Sequence, residues 1–407
     1  MSGANGALPE GTRLLHIGPP KTGTSALQSA CHACRKAMRE QRVRYAGAAK
    51  QASTAAYAVT RRVHPSTGKP PSMRHWNSLV REVRGARERR VLISSEFFAG
   101  ATDEQAAKIV RDLDTARVHI AITLRPLAKI LASRWQQNVQ EGARIQYEEW
   151  LHTVLDTPES DHGKRFWSRQ RHDALVRRWV GVTGADRVTV VIVDESDHDA
   201  LLRNFEEMLG LTIGTLHPQQ DASNRSMTLE EIEGVRTFNE QFFADHFSKA
   251  LHYKLMARGA ALHMKSRTPA TTEARLVTPS WAIEKANRFG TEVAASIREL
   301  GVNVVGDLEA LVVPLSSAES GAAASNAVKQ IAPEIAARMA IGVLLASGRA
   351  RGERGAGKGR VGPTWSEPQV LFRISTLELI GAIVRRVWAG GVEKIAGLFE
   401  RHEPPRR

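Results

Sequence analysis

A lysine, two threonines and a serine are crowded into a glycine- and proline-rich turn near the start of the chain, in the stretch LLHIGPPKTGTSALQ from Leu14 to Gln28. The apolar run Leu14-Leu15-His16-Ile17 reads as a buried strand, and the residues from about Ser25 read as a helix. A turn that joins a strand directly to a helix aims its backbone N–H groups and the helix N-terminus at one point, which is an anion site. Thr22, Thr24 and Ser25 add hydroxyl donors, and Lys21 adds a full positive charge at the mouth. The spacing is not that of a nucleoside-triphosphate loop. Gly18 and Gly23 are separated by four residues, but Thr24-Ser25 follows Gly23 where Lys-Ser/Thr would be needed. The lysine stands two residues before the second glycine, so the usual γ-phosphate lysine and its magnesium partner are not implied.

Pro20-Lys21-Thr22-Gly23-Thr24-Ser25 resembles the phosphosulfate loop, P-K-x-G-T-T/S, of the sulfotransferases that use 3′-phosphoadenosine 5′-phosphosulfate (PAPS). That family also carries a 3′-phosphate site, made of an arginine ending a strand and a serine eight residues later in the next helix. Arg125 and Ser133 stand at that spacing in TLRPLAKILASRWQQ. Looser similarity runs through YEEWL (Tyr147 to Leu151), DRVTVVIVDE and Asn224-Arg225-Ser226, so the resemblance covers roughly residues 11 to 250. It looks closest to bacterial and carbohydrate-type members.

The resemblance implies a metal-free, in-line sulfuryl transfer from PAPS to an acceptor hydroxyl on a carbohydrate, glycolipid or small metabolite. Pro20 to Ser25 would cradle the 5′-phosphosulfate, and Lys21 would neutralise charge on the bridging oxygen as the S–O bond breaks. Arg125 would grip the 3′-phosphate with its guanidinium fork, Ser133 would add a hydroxyl, and Arg225 would close over the same phosphate, with an ordinary surface loop at Asn224-Arg225-Ser226 the alternative. Glu96, in VLISSEFF, follows the second strand and resembles the glutamate base of glycan sulfotransferases. The competing reading makes Ser95 an N-cap with Glu96 in a first helical turn. His16 is a second candidate base, though a lone histidine on a strand is usually a core residue. Trp135, Gln136 and Gln137 are candidates for the acceptor pocket, with core packing the alternative for Trp135.

Cys31-His32-Ala33-Cys34 has half the ligands of a structural zinc site and no second pair to complete it, so it reads as two small residues on a packed helix. Val190 to Asp194 could serve as a magnesium-holding strand end in a phosphoryl-transfer enzyme, the main rival reading. A non-catalytic, polyanion-binding relative is the other.

To position these groups the chain must place several strand ends side by side. Continuous apolar strands at Leu14–Ile17, Val91–Ser94, Val118–Leu124 and Val188–Val193 alternate with helical stretches. That alternation predicts an α/β fold, a P-loop-like, doubly wound parallel sheet with helices on both faces. Beyond about Asp221 the pattern turns mostly helical. The expected organisation is a transferase-like domain over 11–265, a helical extension over 266–347, a Gly/Arg-rich linker over 348–366 and an amphipathic segment over 367–407. The last segment suits docking on the protein's own core, a homodimer face or peripheral contact with a membrane.

Length and composition agree with this outline. The 407 residues carry 57 Lys+Arg against 43 Asp+Glu, a formal charge of +14, and 42% are hydrophobic. Lysine supplies only 14 of the basic residues, so much of the excess is arginine in an Ala- and Gly-rich chain. Aromatics are 6%, few for a strand-stacking nucleic-acid binder, and no specific nucleic acid is expected. Apolar runs fall short of the ~18 residues of a membrane span, and the first residues lack the basic and apolar regions of a secretion signal. A cytoplasmic protein is expected.

Overall fold

The apolar runs form the strands they predict, and two short strands join them. In a computed structural model, six strands form one all-parallel sheet: β1 (Arg13–Ile17), β2 (Val43–Tyr45), β3 (Arg90–Ser94), β4 (Val118–Leu124), β5 (Val188–Ile192) and β6 (Asn303–Val305), in the order β2-β3-β1-β4-β5-β6. The structure describes residues 6–63, 68–194, 196–197, 199–219, 225–314, 328 and 330–347. The expected linker 348–366 and segment 367–407 lie outside the described residues.

Alternation along each strand sorts side chains to two cores. Leu14, Leu92, Ala121 and Val191 face one layer, packed by Leu27, Ala30 and Cys31 of the helix Thr24–Ala33 and by Phe205 and Leu209 of the helix Ala200–Leu209. Leu15, Ile17, Ile93, Ile122 and Val190 face the other, against the helices Asp103–Leu113, His172–Thr183 and Ser280–Leu300. Helices on both faces explain why the strands are apolar throughout rather than alternating. Burying each such Leu or Ile contributes about 1.5–3 kcal/mol.

Helix ends follow local chemistry. Asp103–Leu113 begins in a capping box between Thr102 and Gln105, and Ala200–Leu209 ends on Gly210 in the left-handed conformation. The helix expected from Ser25 to Gln41 breaks at Cys34 and resumes as Arg35–Glu40.

The chain divides into two units. The first comprises residues 1–135, 145–221 and 277–325, and holds the sheet. The second comprises 136–144, 222–276 and 326–407. Within its described part, the helix Leu229–Ala244 starts in a Thr228/Glu231 capping box, and the helix Pro333–Ser347 packs on the π-helical stretch Tyr253–Ala260. That packing is backbone to backbone, since a Cβ on Gly342 would lie 2.5 Å from Ala260 Cα. Among the described residues no helix is long and apolar enough to cross a membrane.

The sheet order fixes where a ligand crevice must lie. From β1 the chain travels to the edge at β2, returns to β3, then passes over β1 to β4. The winding direction reverses at β1, and crevices in such sheets open at the carboxyl ends of strands at this switch point. The loops after β3, β1 and β4 meet there.

Candidate functional site

The loop after β1 runs from Gly18 to Gly23 and enters the helix Thr24–Ala33 with no side-chain cap and no acidic residue in the first turn. The first amides of a helix have no partners within it, so this end keeps its donors and its positive dipole end for an anion. The turn is tight enough to place Lys21 at φ 78° and Gly23 at φ 80°. Glycine adopts that conformation without penalty, whereas for lysine it is strained. Gly18 is required sterically: a Cβ there would sit 2.3 Å from Thr123 Oγ1 and 2.6 Å from Thr22 Oγ1.

Not all the loop hydroxyls face outward. Thr22 is fully buried and donates to the Pro19 carbonyl at 2.8 Å, so it closes the turn. Thr24 is buried and reaches Glu96, while Ser25 is exposed and Lys21 is half-buried. Pro20 precedes Lys21 in the same turn, half-buried.

Glu96 stands just past the end of β3, opening a 3₁₀ turn, Glu96–Gly100. Ser95 caps that turn by accepting from the Phe97 amide, so the capping role weighed from the sequence is realised. The carboxylate nevertheless turns towards the loop, where Thr24 Oγ1 donates to Glu96 Oε2 at 3.3 Å. Burial pushes the Glu96 carboxyl above its usual range, against the opposing pull of the Thr24 hydrogen bond and of Lys21, Arg62 and Arg134. Arg62 lies over the rings of Tyr57 and Phe97, at 5.5 and 5.4 Å from their centroids.

Arg125 follows the last residue of β4, and its Nη1 donates to the Lys21 carbonyl at 3.4 Å. The helix Leu127–Gln140 begins two residues later and carries Ser133, half-buried, whose hydroxyl donates back to the Ile130 carbonyl at 3.0 Å. The structure therefore brings Lys21, Thr24, Glu96 and Arg125 to the carboxyl ends of three adjacent strands.

Other candidates are occupied elsewhere. Trp135 is fully buried, donates to the Ile145 carbonyl and packs on Tyr147. Gln136 pairs through both amide atoms with the backbone of Met227, and Gln137 bonds Glu141. In the second unit Arg225 grips the fully buried Glu231 with two nitrogens, at 2.8 and 2.7 Å, and donates to the carbonyls of Ser226, Met264, Lys265 and Arg267. Asn224 lies outside the described residues. Cys31 and Cys34 are buried core residues, and burial pushes the Cys31 thiol up. Asp194 is exposed and accepts from both the amide and the hydroxyl of Ser196, which holds its carboxyl below the usual range.

His16 is not at the crevice but beneath it. It is fully buried, edge-on to Phe205, and hydrogen-bonded to Ser94 and Thr123. Burial lowers its pKa to about 3, which keeps it neutral. Ser94, Thr123 and Gln28 are site residues that sequence reading missed. The available signal was their position: Ser94 ends β3, and Thr123 lies two residues before Arg125 on β4.

No protein-family model matches this chain, and no curated protein matches it.

Proposed function

We propose that the protein is a PAPS-dependent sulfotransferase with a P-loop-like donor site, transferring a sulfuryl group to an acceptor hydroxyl. The observation that carries this reading is the convergence of Lys21, Arg125 and Glu96 at the ends of β1, β4 and β3, linked by the Arg125–Lys21 and Thr24–Glu96 hydrogen bonds.

In this reading the uncapped helix end and the loop amides hold the 5′-phosphosulfate, with Lys21 beside the bridging oxygen. The acceptor hydroxyl attacks sulfur in line as Glu96 removes its proton. The bond between sulfur and the bridging oxygen breaks, and the electron pair leaves on the phosphate of adenosine 3′,5′-bisphosphate, where Lys21 neutralises it. A carboxyl raised by burial is a stronger base than an exposed one, which suits this role. Arg125 and Ser133 select the 3′-phosphate. Arg225 is held by Glu231 within the second unit, so the donor site is assigned to Lys21, Thr24, Ser25, Arg125 and Ser133, with Arg225 as a buttress of the second unit. The phosphoryl-transfer alternative loses support because Asp194, its magnesium candidate, caps its own turn through Ser196.

Incubating the protein with sulfur-labelled PAPS and a panel of carbohydrate and glycolipid acceptors tests the activity. Transfer of label to an acceptor, lost in Lys21→Ala, is expected; transfer undiminished in that variant contradicts the assignment.

A further inference from the structure

Beneath the loop a buried chain of hydrogen bonds joins five separate pieces of the first unit. Gln28 Nε2 donates to Ser94 Oγ at 3.1 Å, Ser94 Oγ meets His16 Nδ1 at 2.8 Å, His16 Nε2 meets Thr123 Oγ1 at 3.3 Å, Thr123 Oγ1 meets Thr22 Oγ1 at 3.0 Å, and Thr22 donates to the Pro19 carbonyl. All five side chains are at most 2% exposed.

Proton bookkeeping settles the direction of every bond. A carbonyl only accepts, so the single hydroxyl proton of Thr22 lies on Pro19. Thr22 must then accept from Thr123, whose own proton is thereby committed. Thr123 can only accept from His16, so Nε2 carries the imidazole proton. In the neutral ring Nδ1 is then an acceptor, filled by the Ser94 hydroxyl, and Ser94 in turn accepts from Gln28. One tautomer satisfies every member, and the other leaves two acceptors facing each other.

We propose that His16, as its Nε2–H tautomer, and Thr123 are positioning residues that hold the Pro19–Gly23 loop in the shape that presents Lys21. A lysine at φ 78° persists only where its surroundings over-determine it. The Thr22–Pro19 bond closes the turn around Pro20 and Lys21, Thr123 locks Thr22 from below, and the absence of a Cβ on Gly18 lets Thr123 approach. His16 is thus removed from the candidate bases and given a different task, tied to β3 and β4 at once. What Lys21 does for catalysis rests on the sulfotransferase reading; the claim about its conformation does not.

Nuclear magnetic resonance on the full chain tests this without any donor. Nitrogen-15-labelled histidine should show His16 protonated at Nε2 and not at Nδ1. The backbone carbon shifts of Lys21 should report a left-handed residue in the wild type, move towards averaged values in Thr123→Val, and return in Thr123→Ser. Protonation at Nδ1, or Lys21 shifts unchanged in Thr123→Val, would overturn the proposal; should that variant not fold, the wild-type tautomer decides. A companion titration with adenosine 3′,5′-bisphosphate should show affinity about tenfold weaker in Thr123→Val. A wild type that binds none of it would sink the sulfotransferase reading while leaving the tautomer and the carbon shifts to decide this one.

Discussion

The hydroxyl of Thr24, the first residue of its helix, donates to the carboxylate of Glu96 at 3.3 Å, and so ties the anion-binding turn after β1 to the acid at the end of β3. One hydrogen bond thereby fixes the distance between the group that would hold the donor and the group that would activate the acceptor.

Glu96→Gln keeps the shape and can still accept from Thr24, but it cannot take a proton. Transfer should fall by about 10²–10⁴-fold with binding of adenosine 3′,5′-bisphosphate little changed. In the wild type, burial raises the Glu96 pKa, so kcat/KM should climb with pH along an acidic limb centred above the ordinary carboxylate range. Steady-state rates across pH check this. A limb at or below the ordinary range contradicts the assignment.

Arg125 tests donor selection. Arg125→Ala should weaken adenosine 3′,5′-bisphosphate by about 10–100-fold, the loss of a charge-assisted contact, while affinity for adenosine 5′-phosphate changes little. Arg125→Lys should recover only part, since a point charge lacks the fork. Calorimetric titration of both nucleotides gives the comparison.

Gly18→Ala should destabilise the fold by about 1–3 kcal/mol, because the new methyl meets Thr123 Oγ1 at 2.3 Å and both flanking threonines belong to the buried chain. Urea unfolding measures it. Gly18→Ala combined with Thr123→Ala should cost less than the sum of the two.

Acid should destabilise the protein in a defined window. His16 is lowered to about 3, and His119, His172 and His252 to about 4, all by burial. Each is neutral when folded and takes a proton when unfolded below about 6.5, so the unfolded state binds more protons there. Stability should fall as pH drops from about 6.5 to about 3, which urea midpoints across that range would show.

Much of this arrangement was legible in the chain. Continuous apolar runs announced four strands because a sheet covered on both faces needs no alternation, and the turn at Lys21 declared itself through dense local chemistry. The strands β2 and β6 were missed since three residues each leave no period to read. β6 lies within a region whose longer pattern is helical, and its own Val304 and Val305 are too short a run to stand out before they pair with β5. Arg225 illustrates a second limit: the resemblance offers it as a phosphate ligand, whereas its partner Glu231 and the carbonyls that fill its fork come from residues up to 42 positions away. His16 was visible as a candidate base, but its neutrality depends on burial by Phe205 and by strands distant in sequence.

The proposed activity requires first that the β1 turn, with Arg125, bind the 3′-phosphoadenosine donor. Calorimetric titration of the full chain with adenosine 3′,5′-bisphosphate in the presence of a chelator, set beside ATP with Mg²⁺, decides this. Binding of the bisphosphate should be tight, chelator-insensitive and weakened at least tenfold in Lys21→Ala, and binding of ATP should be poor. Tight Mg²⁺-dependent ATP binding with none of the bisphosphate would contradict it.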